Sequence, residues 1–346
     1  MADDIFSRLF ELFNQPGPIN WKLAEEVAKH LAGEKDIVDP WSAEEIAELA
    51  RLAEFHLERA APFPVAPAPS VQVVDRRAWV DLALRRLAFL AEPISESVGS
   101  GLGALGSGIS GSITGLQIGS IAGAIAASNV ASFEAGVPLV PADALLVIGP
   151  AVDGLLAEGG DPHQVRLWVA AQEVAHRALF SIPWLPEHFG QLLGRALAGM
   201  MPSPEKLGEL LASGPATMAD PERLAALFDQ EHVPGRAELA AFLAISGGYR
   251  RHLVERALGE MLTMDYGARL MPAQAQSVQF GTGSPLPSTA ELTPQGLAFC
   301  REAERRFGRE AVDSIWDGPD RLPTSADLDD PVGWAARVLL DSDLEL

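Results

Sequence analysis

Between Val98 and Phe133 the chain carries no charged residue at all. A run of that length has to be covered, by lipid or by the rest of the protein. Hydropathy alone marks it as a candidate membrane span, but its composition argues otherwise. Gly99, Gly101, Gly103, Gly106, Gly108, Gly111, Gly115, Gly119 and Gly123 crowd it, each costing about 1 kcal/mol of helix stability relative to alanine. A lipid-facing helix would be richer in Leu and Ile, whereas small residues let backbones pack closely. The run therefore predicts closely packed helices or glycine-rich loops inside a protein core, with no membrane as partner. Gly101, Gly103 and Gly106 have G-x-G-x-x-G spacing. With no strand signal before them the match is what a glycine-rich run gives by chance, and it is set aside.

A chain of 346 residues with 48% hydrophobic content can bury a substantial core. Its 26 Lys and Arg face 47 Asp and Glu, a formal charge of −21 that repels phosphate backbones and argues against nucleic acid as a partner. Cys300 is the only cysteine, so no internal disulfide and no cysteine-rich zinc site can be built; it reads as a packed core thiol. The acidic start, Met1-Ala2-Asp3-Asp4, is unlike a secretory signal, and the expected location is cytoplasmic.

Residues 20 to 60 read as two amphipathic helices, one with Trp21, Leu23, Val27 and Leu31 on a stripe, the other with Ile46, Leu49, Leu52 and Phe55. Pro62, Pro64, Pro67 and Pro69 then fix an extended connector. Residues 1–70 are accordingly expected to form an N-terminal helical segment with its connector and 71–346 the main domain, although one continuous domain over 1–346 is also compatible. Val71, Val73 and Val74 suggest a short strand, and Asp75 can cap a helix running to about Leu90. Leu145 to Ile148, between Pro141 and Pro150, reads as a buried strand. Pro272 to Thr293, with Gly281, Gly283, Pro285 and Pro287, reads as an extended loop that could border a cleft.

Asp161-Pro162 is a helix start, and the helix should run to about Phe180. It contains Gln172-Glu173-Val174-Ala175-His176, one residue away from H-E-x-x-H. In the intact motif two histidines at i and i+4 project from one helix face onto zinc, and the glutamate activates the metal-bound water. Here Gln172 stands where the first histidine belongs. Alone the fragment is weak, because E-x-x-H is common and a single histidine on an apolar helix face is more often a hydrogen-bonded packing residue.

The whole chain, however, resembles a bacterial family of zincin-like metallopeptidases, some of whose members are associated with deazaflavin-coenzyme biosynthesis. The resemblance is carried by Gly17-Pro18-Ile19-Asn20-Trp21, Val74-Asp75-Arg76, the glycine-rich run, and Leu145-Leu146-Val147-Ile148-Gly149-Pro150. It continues through Arg166-Leu167-Trp168-Val169 and Ile182-Pro183-Trp184-Leu185, then Ile315-Trp316-Asp317-Gly318-Pro319, Leu322-Pro323-Thr324 and Asp330-Pro331-Val332-Gly333-Trp334. It implies an α+β, zincin-like fold, predominantly helical, with a small sheet beside the site helix. Members with the complete site carry H-E-x-x-H and, on a later helix, a Leu-Glu-Gly segment supplying a carboxylate ligand. The matching segment here is Leu243-Ala244-Ile245-Ser246-Gly247-Gly248, which puts Ser246 at the glutamate position.

The resemblance thus leaves His176 as the single remaining metal ligand, Gln172 and Ser246 at the lost ligand positions, and Glu173 as a vestigial general base. An amide and a hydroxyl are poor zinc donors. The expectation is a non-catalytic homologue without zinc, kept for binding a peptide, a protein or a small ligand. The alternative is a hydrolase using a repositioned metal or a metal-free Glu173/His176 pair. His163, His188, His232, His252 and Glu255 are the candidates for rebuilding a metal site, with His188 read as an exposed loop residue. Neither a G-x-S-x-G elbow nor a Walker-type phosphate loop is present.

Overall fold

The computed structural model describes residues 17, 19–102, 107–200, 235–270 and 289–339. Gly103, Gly106, His232 and the Pro272–Ser288 part of the expected loop lie outside the described residues; Thr289 to Thr293 opens a helix instead.

The N-terminal helices are α1 (Trp21–Ala32) and α2 (Pro40–Ala60). Each starts on a side-chain cap. The Asn20 amide oxygen accepts from the Leu23 N–H at 3.0 Å, and Asp39 accepts from the Trp41 and Ser42 N–H groups ahead of Pro40 in the first turn. Strand β1 (Ser70–Val74) follows. Asp75 then caps α3 (Arg76–Ala83), which tightens into a 3-10 turn over Leu84–Leu90.

The charge-free run forms the end of α4 (Ala91–Leu102) and all of α5 (Ser107–Ser128). No helix among the described residues is long and apolar enough to cross a membrane. Helix α5 is instead covered by α1. A β-carbon added at Gly115, Gly119 or Gly123 would fall 2.4 Å from the Asn20 carbonyl oxygen, 2.4 Å from the Ala24 carbonyl oxygen and 2.7 Å from the Leu31 β-carbon, respectively. Glycine every fourth residue makes one flat face, and Ala24 and Ala28 of α1 lie directly on it. The buried face of α1 is therefore Leu23, Ala24, Ala28 and Ala32; Leu31, expected on the apolar stripe, is largely exposed.

A short helix, α6 (Ser132–Ala135), leads to β2 (Ala144–Ile148), which pairs in parallel with β1 in the register Val71–Leu145. On the other side of β2, Ala131 forms an antiparallel bridge with Val147, and the Ile148 N–H donates to the Val130 carbonyl at 2.7 Å. The sheet thereby fixes the approach to α6.

Next come α7 (Gly149–Ala157), α8 (Pro162–Leu179), α9 (Leu185–Met200), α10 (Arg236–Leu258), α11 (Tyr266–Leu270), α12 (Thr289–Phe307), α13 (Arg309–Asp313) and α14 (Pro331–Val338). Helix α8 begins at Asp161, whose carboxylate accepts from the Gln164 N–H at 3.0 Å, and every residue from Leu167 to Leu179 is buried. A helix buried on all sides belongs in the middle of a fold, and α8 packs on α2, α6, α7, α10 and β2. Helix α10 meets α12 almost backbone to backbone: a β-carbon on Gly248 would sit 2.1 Å from the Gly296 carbonyl carbon. The result is an α+β fold, mostly helical, with a two-stranded sheet against the central helix.

Candidate functional site

Helices α8 and α10 bring Gln172, Glu173 and His176 together with Arg250, which follows Ser246 by one turn on α10. All are buried. The Glu173 carboxylate does not face open space. One oxygen accepts from the Ser132 hydroxyl at 2.6 Å and the other from the Phe133 N–H at 3.0 Å, both in the first turn of α6. Burial pushes its carboxyl up to about 7 despite these bonds and the nearby Arg250. Glu134, on α6, reaches back to accept from the Val130 N–H, and burial raises it to about 7 as well.

The positive charge between these carboxylates is Arg250, only 5% exposed. Its Nε donates to the Gln172 Oε1 at 2.9 Å and Nη1 donates to the Phe133 carbonyl at 2.8 Å, while the guanidinium lies 5.1 Å from the centroid of the Phe133 ring. Burial lowers its proton affinity to about 10, opposed by Glu173 and Glu134. It therefore stays charged at neutral pH.

His176 is hydrogen-bonded to the segment after α6. Its Nε2 lies 3.1 Å from the Val137 carbonyl, which can only accept, so Nε2 is the nitrogen that carries hydrogen. The ring packs edge-on against Phe180 at 4.8 Å. Burial, with the Arg250 charge second, lowers it to about 3, so it is neutral at physiological pH. The Ser246 hydroxyl donates to the Leu243 carbonyl of its own helix at 3.3 Å.

Zinc needs lone pairs from about three protein donors converging on one point. Here His176 commits Nε2 to a carbonyl and keeps a lone pair on Nδ1 alone, the Gln172 oxygen is held by a cation, and Ser246 spends its hydroxyl inside α10. Among the described residues no three His, Cys, Asp or Glu side chains converge as a metal site. This donor set does not fit a zinc ion.

The candidates for rebuilding the site are scattered. His163 pairs with Glu45, His252 with Glu304, and Glu255 with Arg301. His188 lies within α9 and is half-buried rather than an exposed loop residue. Its ring is 5.9 Å from Phe242, and burial lowers its pKa. Sequence reasoning missed Arg250, Glu134 and Ser132. Two signals pointed to them: Arg250 ends the charge-free run Leu239–Tyr249, and Glu134 ends the run from Val98. A cavity of about 290 Å³ opens beside this cluster, with Gln172 in its wall.

A family model described as zincin-like metallopeptidase matches residues 19–335. Among solved structures, a protein from Chloroflexus aurantiacus described as a "putative hydrolase with a novel fold" superposes with a TM-score of 0.62. It is 20% identical, over 92% of this chain and 98% of that one. At that identity the likeness bears on the fold alone. No curated protein matches.

Proposed function

This chain belongs to the zincin-like metallopeptidase family, and we propose that within it the protein has given up zinc-dependent hydrolysis and keeps its former catalytic cleft for binding a ligand. The observation that carries this reading is the contact from Arg250 to Gln172 at 2.9 Å. A guanidinium at that point supplies the positive charge that buried Glu173 requires, without offering a Lewis acid or a coordinated water.

Hydrolysis by Glu173 and His176 without a metal is disfavoured by the same contacts. A general base must reach the proton it removes. Both Glu173 oxygens already accept from α6, and His176 donates its Nε2 hydrogen to a backbone carbonyl.

The test is metal content by plasma mass spectrometry after zinc loading, with cleavage of a mixed peptide library measured on the same samples. The unaltered protein and a Gln172→His, Ser246→Glu double variant should both stay substoichiometric, because Arg250 still holds the centre. Adding Arg250→Ala to the double variant should allow zinc to bind. Stoichiometric zinc with peptide cleavage in the unaltered protein would overturn the reading.

A further inference from the structure

The Gln172 amide is only half used. Arg250 offers hydrogens and accepts none, so the atom facing it has to be the amide oxygen, and the amide nitrogen is fixed on the opposite side. There Gln172 Nε2 is buried with no acceptor, in a side chain only 1% exposed. A buried donor left without a partner costs about 1–3 kcal/mol. Among the described residues eight buried side-chain polar atoms lack a hydrogen-bond partner, and only Gln172 Nε2 and Arg251 Nε belong to side chains that line a cavity.

Gln172 lines the 290 Å³ cavity between α8, α10 and α11. The inner walls are Trp168, one turn before Gln172, and Val254. Leu262, Met264 and Tyr266 close the other side. The remaining side chains of the lining are charged: buried Arg251 pairs with Asp265 and Glu255, and Arg301 with Glu255. A cavity with an aromatic and aliphatic wall and a few convergent polar groups is the usual form of a small-molecule site. At the lower end of the roughly 300–1,000 Å³ range it suits about ten non-hydrogen atoms.

We infer that this cavity binds a compact molecule with an apolar or aromatic body and one carbonyl or carboxylate oxygen, which accepts from the Gln172 amide. The inference rests on the reading of the cleft as a ligand site and places that site one helical turn from His176, towards Trp168. Gln172, at a lost ligand position, then has two functions: its oxygen holds Arg250 and its nitrogen selects the ligand.

Three probes of similar size separate the possibilities: phenylacetate, phenylacetamide and 2-phenylethylamine, the last lacking any acceptor oxygen. Each is titrated into the full chain, with zinc content measured on the same sample. Binding is followed through the side-chain amide resonance of Gln172, identified by its absence in Gln172→Leu. Phenylacetate or phenylacetamide should move that resonance saturably, and 2-phenylethylamine should not. Response to the carboxylate alone would assign an acid as ligand, and response to the neutral amide would assign a carbonyl; either supports the site. Leu262→Trp, which blocks the entrance from a half-buried position, should weaken binding at least about tenfold. No saturable shift with either oxygen-bearing probe, an equal response to the amine, or indifference to Leu262→Trp would overturn the inference. Zinc bound in stoichiometric amount would overturn the non-catalytic reading instead, so the two failures are distinguishable.

Discussion

Arg250 Nε donates to Gln172 Oε1 at 2.9 Å, joining α10 to α8 at the centre of the molecule. The same guanidinium faces two buried carboxyl groups, Glu173 and Glu134. At a pH above about 8, where both carboxyls are ionised, Arg250→Met should therefore destabilise the fold by about 3–5 kcal/mol, the usual cost of leaving buried charge uncompensated. Arg250→Lys should recover only part of that loss, because an ammonium lacks the planar fork that reaches Gln172 and Phe133 together. Denaturant midpoints of the three proteins check this; equal stability of Arg250→Met would mean that the cluster is solvated.

Ser246→Ala should be nearly silent. The hydroxyl bonds only to the carbonyl three residues back in its own helix, and alanine favours a helix by a few tenths of a kcal/mol over serine. The expected change in stability is within about 0.5 kcal/mol. A loss several times larger would show that Ser246 holds something beyond α10.

Stability should fall as pH rises from about 4.5 to 6.5. A carboxyl raised from 4.5 to about 7, as in Glu134 and Glu173, binds its proton more tightly in the folded chain. Its contribution is complete below pH 4.5 and is lost as pH rises through about 7. His176, lowered from 6.5 to about 3, contributes fully above pH 6.5 and loses that contribution as pH falls. Between the two the unfolded chain carries the histidine proton, and the folded chain carries both carboxyl protons. Folding takes up one proton net from these groups, which lowers stability by about 1.4 kcal/mol per pH unit. Glu134→Gln should flatten the slope by that amount, measured by urea unfolding at two pH values inside the window. An unchanged slope would show that Glu134 titrates as an ordinary carboxyl.

Gly119→Ala should destabilise, against the sign that helix propensity gives. Alanine is worth about 1 kcal/mol over glycine in a helix interior. At this site, though, the new β-carbon would stand 2.4 Å from the Ala24 carbonyl oxygen, a backbone atom that can move only if α1 moves. Overpacking of this kind costs about 1–3 kcal/mol or more. Thermal unfolding decides it, and a raised midpoint would mean that α1 is not seated on α5.

Capped starts and short apolar runs were legible in the sequence because their signals are local. Asp161-Pro162 opens α8, Asp75 opens α3, and both strands fall within one residue of the apolar runs that announce them. The contact faces of α1 and α2 were read less well. A pattern of large apolar residues puts Leu31 and Phe55 inside, whereas both are exposed and the helices bury Ala24, Ala28, Ala50 and Ala53. Alanine is buried there because glycine lies opposite, at least on α1, and which helix supplies that glycine is a long-range fact. At the site, Gln172 drew notice by its spacing from His176, and Ser246 only through the family resemblance. The arginine that meets Gln172 could not be read, since it is 78 residues away and nothing local aims one at the other.

The pairing of α1 with α5 also bears on how the chain is made. Residues Asn20 and Ser112, which meet across that interface, are 92 positions apart, and α1 is the earlier of the two. During synthesis the uncharged helix thus emerges when its cover already exists and has only to be met. The reverse order would expose a sticky, glycine-faced segment to neighbouring chains until its partner was translated. Moving α1 to the C-terminus by circular permutation would remove that protection.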